Sequence, residues 1–438
     1  MKIAVVGTGY VGLTTAVCFA SCGHQVKCVD IVESKIEMIN RGVSPIFEEG
    51  MDSLLKEVVE SGKLIASNDL EKAVLDSDLS FICVGTPALE DGGIDLSQIR
   101  IVSASIGNAL RDYNGRHVVV VKSTVLPGTS EKVVIPELGK NSGLKVVEGF
   151  GVCVNPEFLR EGQAISDFLD PKNTGIVIGE SDAESGDKLA ELYSGFDGQI
   201  LRTFLRAAEM IKYARNSYLA KDVSFANEIA NVCSAFSIDY LDVKKGMEMD
   251  SRIGEGRFLS AGLGYGGSCF KKDVLAFIMK AKHQGIEPTF MKATEEVNER
   301  QPSIVLNIAQ RALGNLNGKK IVVLGLAFKE GTDDVRESRA IKIIDLLLSA
   351  KARVVVFDPK AMDNAKNIFG GQVNYAENAE DALQNCDACV IATEWPEFRK
   401  PDLYSSIDGL IVIDGRRMLD YSLLPSSIRY YGVGYPNS

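Results

Sequence analysis

Lys2-Ile3-Ala4-Val5-Val6-Gly7-Thr8-Gly9-Tyr10-Val11-Gly12 opens the chain, and a small-residue stretch to about Ser21 leads on to Gln25-Val26-Lys27-Cys28-Val29-Asp30. A short apolar strand runs into G-x-G-x-x-G, then a helix, then a second strand that ends in an acid. In that context the glycine spacing reads as a dinucleotide turn. Gly7, Gly9 and Gly12 permit the tight turn and let a pyrophosphate reach the helix N-terminus. Asp30 follows Gly12 by 18 residues, where a carboxylate binds both ribose hydroxyls and repels a 2′-phosphate. The cofactor expected is NAD rather than NADP.

Outward from this unit, strands and helices keep alternating. Leu79–Val84 ends in Gly85-Thr86-Pro87, His117–Val121 in Lys122-Ser123-Thr124, and Val152–Val154 in Asn155-Pro156-Glu157. Near-continuous Val/Ile runs fit parallel strands buried on both faces. Polar residues at their C-terminal ends lie where an α/β sheet binds ligands. Thr86 and Thr124 read equally as ligand contacts or as helix N-caps. Asn155–Gly162 holds two acids and an arginine directly after a buried strand. It reads as the seat of a general base or as a solvated ion pair.

Ala207 to about Phe236 contains no Pro or Gly and carries a helical apolar pattern. Lys212 and Asn216, spaced i, i+4, share one of its faces, either as surface decoration or as donors aimed at an oxyanion. Next comes Gly262-Leu263-Gly264-Tyr265-Gly266-Gly267-Ser268-Cys269-Phe270-Lys271-Lys272-Asp273, with four glycines in six residues and then a helix. Cys269 is expected at that helix's N-terminus, where the dipole and two lysines favour thiolate. Asp273 is expected one turn on. The competing reading is a buried Cys at a helix start. From Lys319 a strand again runs into a glycine turn at Gly325, without G-x-G-x-x-G, so no second dinucleotide is expected there. Lys329, Arg336 and Arg416-Arg417 follow strands and suit a phosphate-bearing ligand. The fold expected is α/β: two Rossmann-like doubly wound domains joined by a long central helix. The boundaries are 1–200, a central helical segment 201–315 that carries Cys269, and 316–438.

The chain has 438 residues, 45% apolar and 24% charged, with net charge −11. The acidic balance argues against nucleic acid and anionic membranes as partners. No apolar run approaches the ~20 residues of a membrane span. Nine Cys and no secretory segment point to free thiols in a reducing cytoplasm. With three His and a lone Cys386-x-x-Cys389, no metal site is expected.

With these residues assembled, the chain resembles the UDP-glucose/GDP-mannose dehydrogenase family over essentially its whole length. The resemblance rests on Gly7–Gly12, Val84–Pro87, Lys122–Gly128, Asn155–Gly162, Glu209–Tyr213, Gly264–Asp273, Gly325–Ser338 and Asp414–Arg417. It implies a two-step NAD-dependent oxidation of a nucleotide sugar at C6. Cys269 is then the nucleophile that forms a thiohemiacetal and a thioester, and Lys212 and Asn216 stabilise the oxyanion. Asp273 and Glu157 handle protons and the hydrolytic water, which Thr124 helps to hold. The resemblance gives the cofactor Gly7, Gly9, Tyr10, Val11, Gly12, Asp30, Lys35, Thr86, Thr124, Glu161 and Arg336. It gives the nucleotide sugar Phe158, Leu159, Arg160, Glu161, Lys212, Asn216, Phe258, Leu259, Gly266, Phe270, Lys272, Lys329 and Arg416. Arg252 is lent by a neighbouring subunit, and the long helix forms the core of a homodimer or larger homo-oligomer. The resemblance makes the central segment 201–315 the dimerisation and catalytic-Cys domain.

Lys271 departs from the pattern, since many bacterial members have Pro there. Ser44–Gly50 and Leu126 are shared with the GDP-mannose branch, whereas Asp414–Arg417 is closer to the UDP-glucose branch, which the reading favours. Two other readings stay open: a one-step hydroxy-acid dehydrogenase, which needs no thiol, and an NAD-sensing or scaffold protein without turnover.

Overall fold

The computed structural model describes residues 1–253, 258–405 and 407–436. It divides into two compact units, residues 1–215 and 216–438. The first unit's strands are β1 (Lys2–Val6), β2 (Gln25–Val29), β3 (Leu64–Ser67), β4 (Leu79–Ile82), β5 (His117–Val121), β6 (Phe150–Val154), β7 (Ile176–Glu180) and β8 (Ile200–Phe204). Among the described residues they form one sheet in the order β3-β2-β1-β4-β5-β6-β7-β8. Successive residues of a strand face opposite sides, and here each side has its own core. Ile3, Val5, Val118 and Val120 pack with Leu13, Val17 and Phe19 of the first helix. Ala4, Val6, Val119 and Val121 pack with Ile99, Val102 and Ile106 of the helix Ser97–Leu110. This two-sided burial explains the unbroken Val runs.

One feature departs from the doubly wound expectation: β7 runs antiparallel to β6, while β1 to β6 are parallel. The connection between β6 and β7 contains the six-residue helix Ala164–Leu169. At ~1.5 Å per residue this helix is too short to carry the chain back along the sheet. Residues 155–175 therefore stay at the C-terminal end of β6, the ligand-binding end of a parallel sheet.

A 31-residue helix, Leu205–Ala235, joins the two units and spans about 46 Å at 1.5 Å per residue. It carries Lys212 in the first unit and Asn216 in the second. The second unit contains the helices Tyr240–Glu248, Phe270–His283, Thr289–Arg300 and Pro302–Leu313. They precede β9 (Lys320–Leu324), β10 (Arg353–Phe357), β11 (Asn374–Tyr375), β12 (Ala388–Ile391), β13 (Ile411–Asp414) and β14 (Arg429–Gly432). Among the described residues these strands form a sheet in the order β11-β10-β9-β12-β13-β14, with every pairing parallel. The turn after β9 differs from the one after β1 in a way that bears on ligands. Asp358 accepts from the N–H groups of Leu326 and Ala327 at 2.7 and 3.0 Å, and the next helix starts only at Arg339. The donors that would face a pyrophosphate are thus occupied by a protein carboxylate. Among the described residues no helix is long and apolar enough to cross a membrane.

Candidate active site

In the first unit, Gly7 has φ +95°, and a Cβ on Gly12 would lie 1.8 Å from the Gly7 carbonyl oxygen. Only glycine permits this return of the helix onto the strand. The helix Tyr10–Ser21 begins at Gly9 without a side-chain cap, and a Cβ on Gly9 would meet nothing within 4 Å. Open N–H groups at a helix start with clear space before them fit a pyrophosphate. Asp30 accepts from the Thr8 N–H and hydroxyl at 2.8 and 2.6 Å and from the Val32 N–H at 3.0 Å. Burial pushes its carboxyl up, but Thr8, Val32 and Lys35 outweigh that and hold it below the ordinary range. An ionised acid beside the turn fits ribose hydroxyls. Lys35 and Val11 are half-buried, and Thr86 is buried. The Thr86 hydroxyl donates to the Thr124 carbonyl at 2.8 Å, so this threonine ties two strand ends together and caps no helix.

After β6, Glu157 and Lys212 form an ion pair 2.7 Å apart with side chains 7% and 6% exposed. The Lys212 ammonium also donates to the Glu157 carbonyl at 2.9 Å, and Leu159 N–H donates to the Glu157 carboxylate at 2.7 Å. Burial raises the Glu157 pKa, yet Lys212, Leu159 and Lys122 hold it below the ordinary value. The Phe158 ring lies under the Arg215 guanidinium at 3.6 Å and near Lys212 at 5.7 Å. Arg160 is engaged by Asp167 through its backbone N–H at 2.9 Å and its guanidinium at 2.6 and 2.9 Å. Glu161 is half-buried.

Lys122 was not singled out by pattern, although a lysine closing an all-Val strand was the available signal. It is 3% exposed, donates to the Asn155 side-chain oxygen at 2.8 Å and lies 5.6 Å from the Phe168 ring. Burial chiefly, with Lys212 adding to it, brings its pKa from 10.5 down to about 8. The unfolded chain therefore holds this proton more tightly than the native one. Stability should rise with pH between about 8 and 10.5 as the native ammonium is released. Chemical unfolding midpoints of wild type and Lys122→Met, compared across that window, should converge on the variant's flatter profile. Parallel profiles would refute this assignment.

In the second unit, Cys269 is exposed and stands as the N-cap of Phe270–His283. The Asp273 N–H donates to the Cys269 carbonyl at 2.9 Å, the one-turn spacing expected. Asp273 is 1% exposed and accepts from Asn216 at 2.6 Å and Lys272 at 2.7 Å. The glycine loop before Cys269 lies flat against the chain that follows β9. A Cβ on Gly266 would meet the Glu337 carbonyl at 2.6 Å, and one on Gly267 the Phe328 ring at 2.9 Å. Gly267 N–H donates to the Arg336 carbonyl at 2.9 Å. Lys271 forms ion pairs with Glu337 at 2.9 Å and Glu299 at 3.3 Å, so its charge is held beside the helix start.

Gly262, Gly266, Phe270, Phe328, Glu394 and Arg416 line one cleft in this unit. Arg416 donates to the carbonyls of Ala392 at 2.7 Å and Phe328 at 3.1 Å. Leu259 is buried, and its carbonyl accepts from the Tyr240 hydroxyl at 2.8 Å; Phe258 and Lys329 are half-buried. Arg336 pairs with Asp334 at 2.6 Å and Arg252 with Asp250 at 2.5 Å, both on exposed turns.

A dinucleotide turn with open N–H groups and an ionised acid beside it points to an NAD-dependent dehydrogenase. Family models for the NAD-binding, central and UDP-binding domains of one family match residues 1–197, 206–300 and 322–421. The chain belongs to the UDP-glucose/GDP-mannose dehydrogenase family. It is 42% identical over 436 residues to UDP-glucose 6-dehydrogenase AglM of Haloferax volcanii, covering 97% of this chain and 100% of that one. It is 39% identical to UDP-glucose 6-dehydrogenase TuaD of Bacillus subtilis, covering 99% and 93%. A solved UDP-glucose dehydrogenase from the archaeon Pyrobaculum islandicum superposes with TM-score 0.91 at 39% identity, covering 99% and 97%. A GDP-mannose dehydrogenase from Pseudomonas aeruginosa matches at 35% identity with TM-score 0.57, covering 99% and 100%.

Proposed function

We propose that this enzyme oxidises UDP-glucose to UDP-glucuronate, consuming two NAD⁺ per sugar. The observation that carries this reading is the exposed Cys269 thiol at a helix start, in a chain whose full length aligns with UDP-glucose 6-dehydrogenases. Taking an alcohol to a carboxylate removes four electrons from one carbon. An aldehyde halfway would escape unless held covalently. NAD⁺, when bound, accepts each hydride.

The chain's own groups do the rest. The Cys269 thiolate adds to the C6 aldehyde left by the first hydride transfer; its C–S bond forms as the carbonyl π pair moves onto oxygen, giving the thiohemiacetal as its anion. Loss of the second hydride from that carbon leaves a thioester; water attacks the acyl carbon and the thiolate departs. Lys212 and Asn216 donate to the C6 oxygen as it gains charge. Glu157 and Thr124 orient the water, and Asp273 accepts its proton. Gly7–Gly12, Asp30, Lys35, Thr86, Glu161 and Arg336 hold the cofactor. Phe158–Glu161, Phe258, Leu259, Gly266, Phe270, Lys272, Lys329 and Arg416 hold the nucleotide sugar.

The working form is a homodimer built on the long helix, with residues 201–315 as the dimerisation segment and Arg252 serving the neighbouring site. Exposed Met210, Tyr218, Phe225 and Val232 recur along that helix and support this reading. The setting is a reducing cytoplasm, in keeping with cysteines that, among the described residues, stand outside any disulfide.

The test is an NADH count against a limiting, known amount of nucleotide sugar. Two NADH per UDP-glucose is the expected result. Two per GDP-mannose with none from UDP-glucose would overturn the choice of sugar. One per sugar would overturn the thioester step.

A further inference from the structure

Glu48 lies in Ser44–Gly50, a segment to which nothing above gives a role. Its side chain is buried, 6% exposed. One carboxylate oxygen accepts from the Tyr10 hydroxyl and from the Gly162 N–H, the latter at 2.6 Å. The other accepts from the Ala164 N–H at 2.6 Å. The Tyr10 hydroxyl in turn accepts from Gly162 N–H at 3.1 Å. Tyr10 belongs to the dinucleotide turn. Gly162 closes the loop Glu157–Gly162, and Ala164 starts the short helix that follows it.

That helix holds the same loop a second time through Asp167, which binds the Arg160 backbone and guanidinium. The loop is therefore pinned at Glu157 by Lys212, at Arg160 by Asp167, and at Gly162 by Glu48. Glu48 also grips the glycine turn, through the Tyr10 hydroxyl. A buried carboxylate is costly unless its oxygens are fully satisfied by donors. Here the hydrogen-bonding donors are two backbone N–H groups and one phenol hydroxyl, so the group is tuned to geometry. A glutamine in its place would turn an NH₂ toward at least one of these donors and lose that contact.

We propose that Glu48 is a positioning residue that couples the cofactor turn to the loop Glu157–Gly162, so that an ordered sugar loop strengthens cofactor binding. The proposal rests on the function argued above, which makes Tyr10 a cofactor contact and Phe158–Glu161 sugar contacts. Any shift of Tyr10 alters its bond to Glu48 and is felt at Gly162 and Ala164. Linkage requires the reverse as well.

The experiment is a fluorescence titration of the full-length enzyme with NADH, alone and with saturating UDP-glucose, a pair that cannot react. Wild type should bind NADH about fivefold or more tightly with the sugar present, the low end of common coupling strengths. In Glu48→Gln and in Tyr10→Phe that ratio should fall to within about twofold of one, and the double variant should fall no further. A ratio is insensitive to a uniform loss of affinity, so a merely structural role would leave it unchanged. Tyr10→Phe removes a single hydroxyl and keeps the test available if Glu48→Gln does not fold. A wild-type ratio of one in an enzyme that turns over UDP-glucose would overturn the coupling alone, as would both variants keeping the wild-type ratio. A wild type that fails the NADH count with UDP-glucose would overturn the function first.

Discussion

Cys269→Ser is expected to lower NADH formation from UDP-glucose by on the order of 10³-fold or more, with cofactor affinity held within about twofold. The serine hydroxyl is nearly isosteric but is not ionised at the pH where a thiolate forms, so it cannot trap the C6 aldehyde. Cys269 caps the helix through its backbone, without a side-chain cap bond, so the substitution leaves the helix start intact. Steady-state NADH absorbance measures the loss, and equilibrium titration with NADH measures binding. Full turnover in Cys269→Ser would favour a one-step dehydrogenase that needs no thiol.

The second large effect is at Lys212. Its pair with Glu157 is buried on both sides, and removing one partner of such a pair costs about 3–5 kcal/mol because a lone charge remains. Lys212→Met should therefore destabilise the protein by about that amount. It should also let the Glu157 pKa rise, since Lys212 is foremost among the influences that hold it down. Lys212→Met with Glu157→Gln should recover most of the stability while turnover stays low. Lys212→Ala should slow both hydride transfer and thioester hydrolysis, each by roughly 10²–10³-fold, the usual loss for one oxyanion donor. Stopped-flow absorbance separates the two steps. Unchanged rates for both would remove Lys212 from the chemistry.

Much of this was legible in the residues. The glycine turn, its following helix and Asp30 carry local constraints: φ above zero, a missing Cβ, an acid at a strand end. Val-only runs predicted strands covered on both faces, and the two-sided cores explain them. The long helix was expected over 207 to about 236 and runs Leu205–Ala235. Cys269 at a helix start followed from where the glycines stop.

Other features were out of reach for pattern alone. The reversal of β7 depends on how a short helix packs after β6. The burial of Lys122 was hidden by its position at a strand end, where a lysine usually reaches solvent. The role of Glu48 had no local signal, since its backbone partners are 114 and 116 residues away. Glu157 read equally as a solvated loop charge until Lys212, 55 residues on, was found at its carboxylate.

The sequence by itself thus determined the strands, the dinucleotide turn, the helix start under the thiol and the family. These rest on backbone preferences and periodicities that act within about twenty residues. The tertiary structure alone decided which partners the buried acids meet: Glu48 the glycine turn and the loop Glu157–Gly162, Glu157 the Lys212 ammonium, Asp273 the Asn216 amide. A buried ionic or hydrogen-bonded group is stable only when distant chain segments bring its partners to bonding distance, and no local periodicity encodes that meeting.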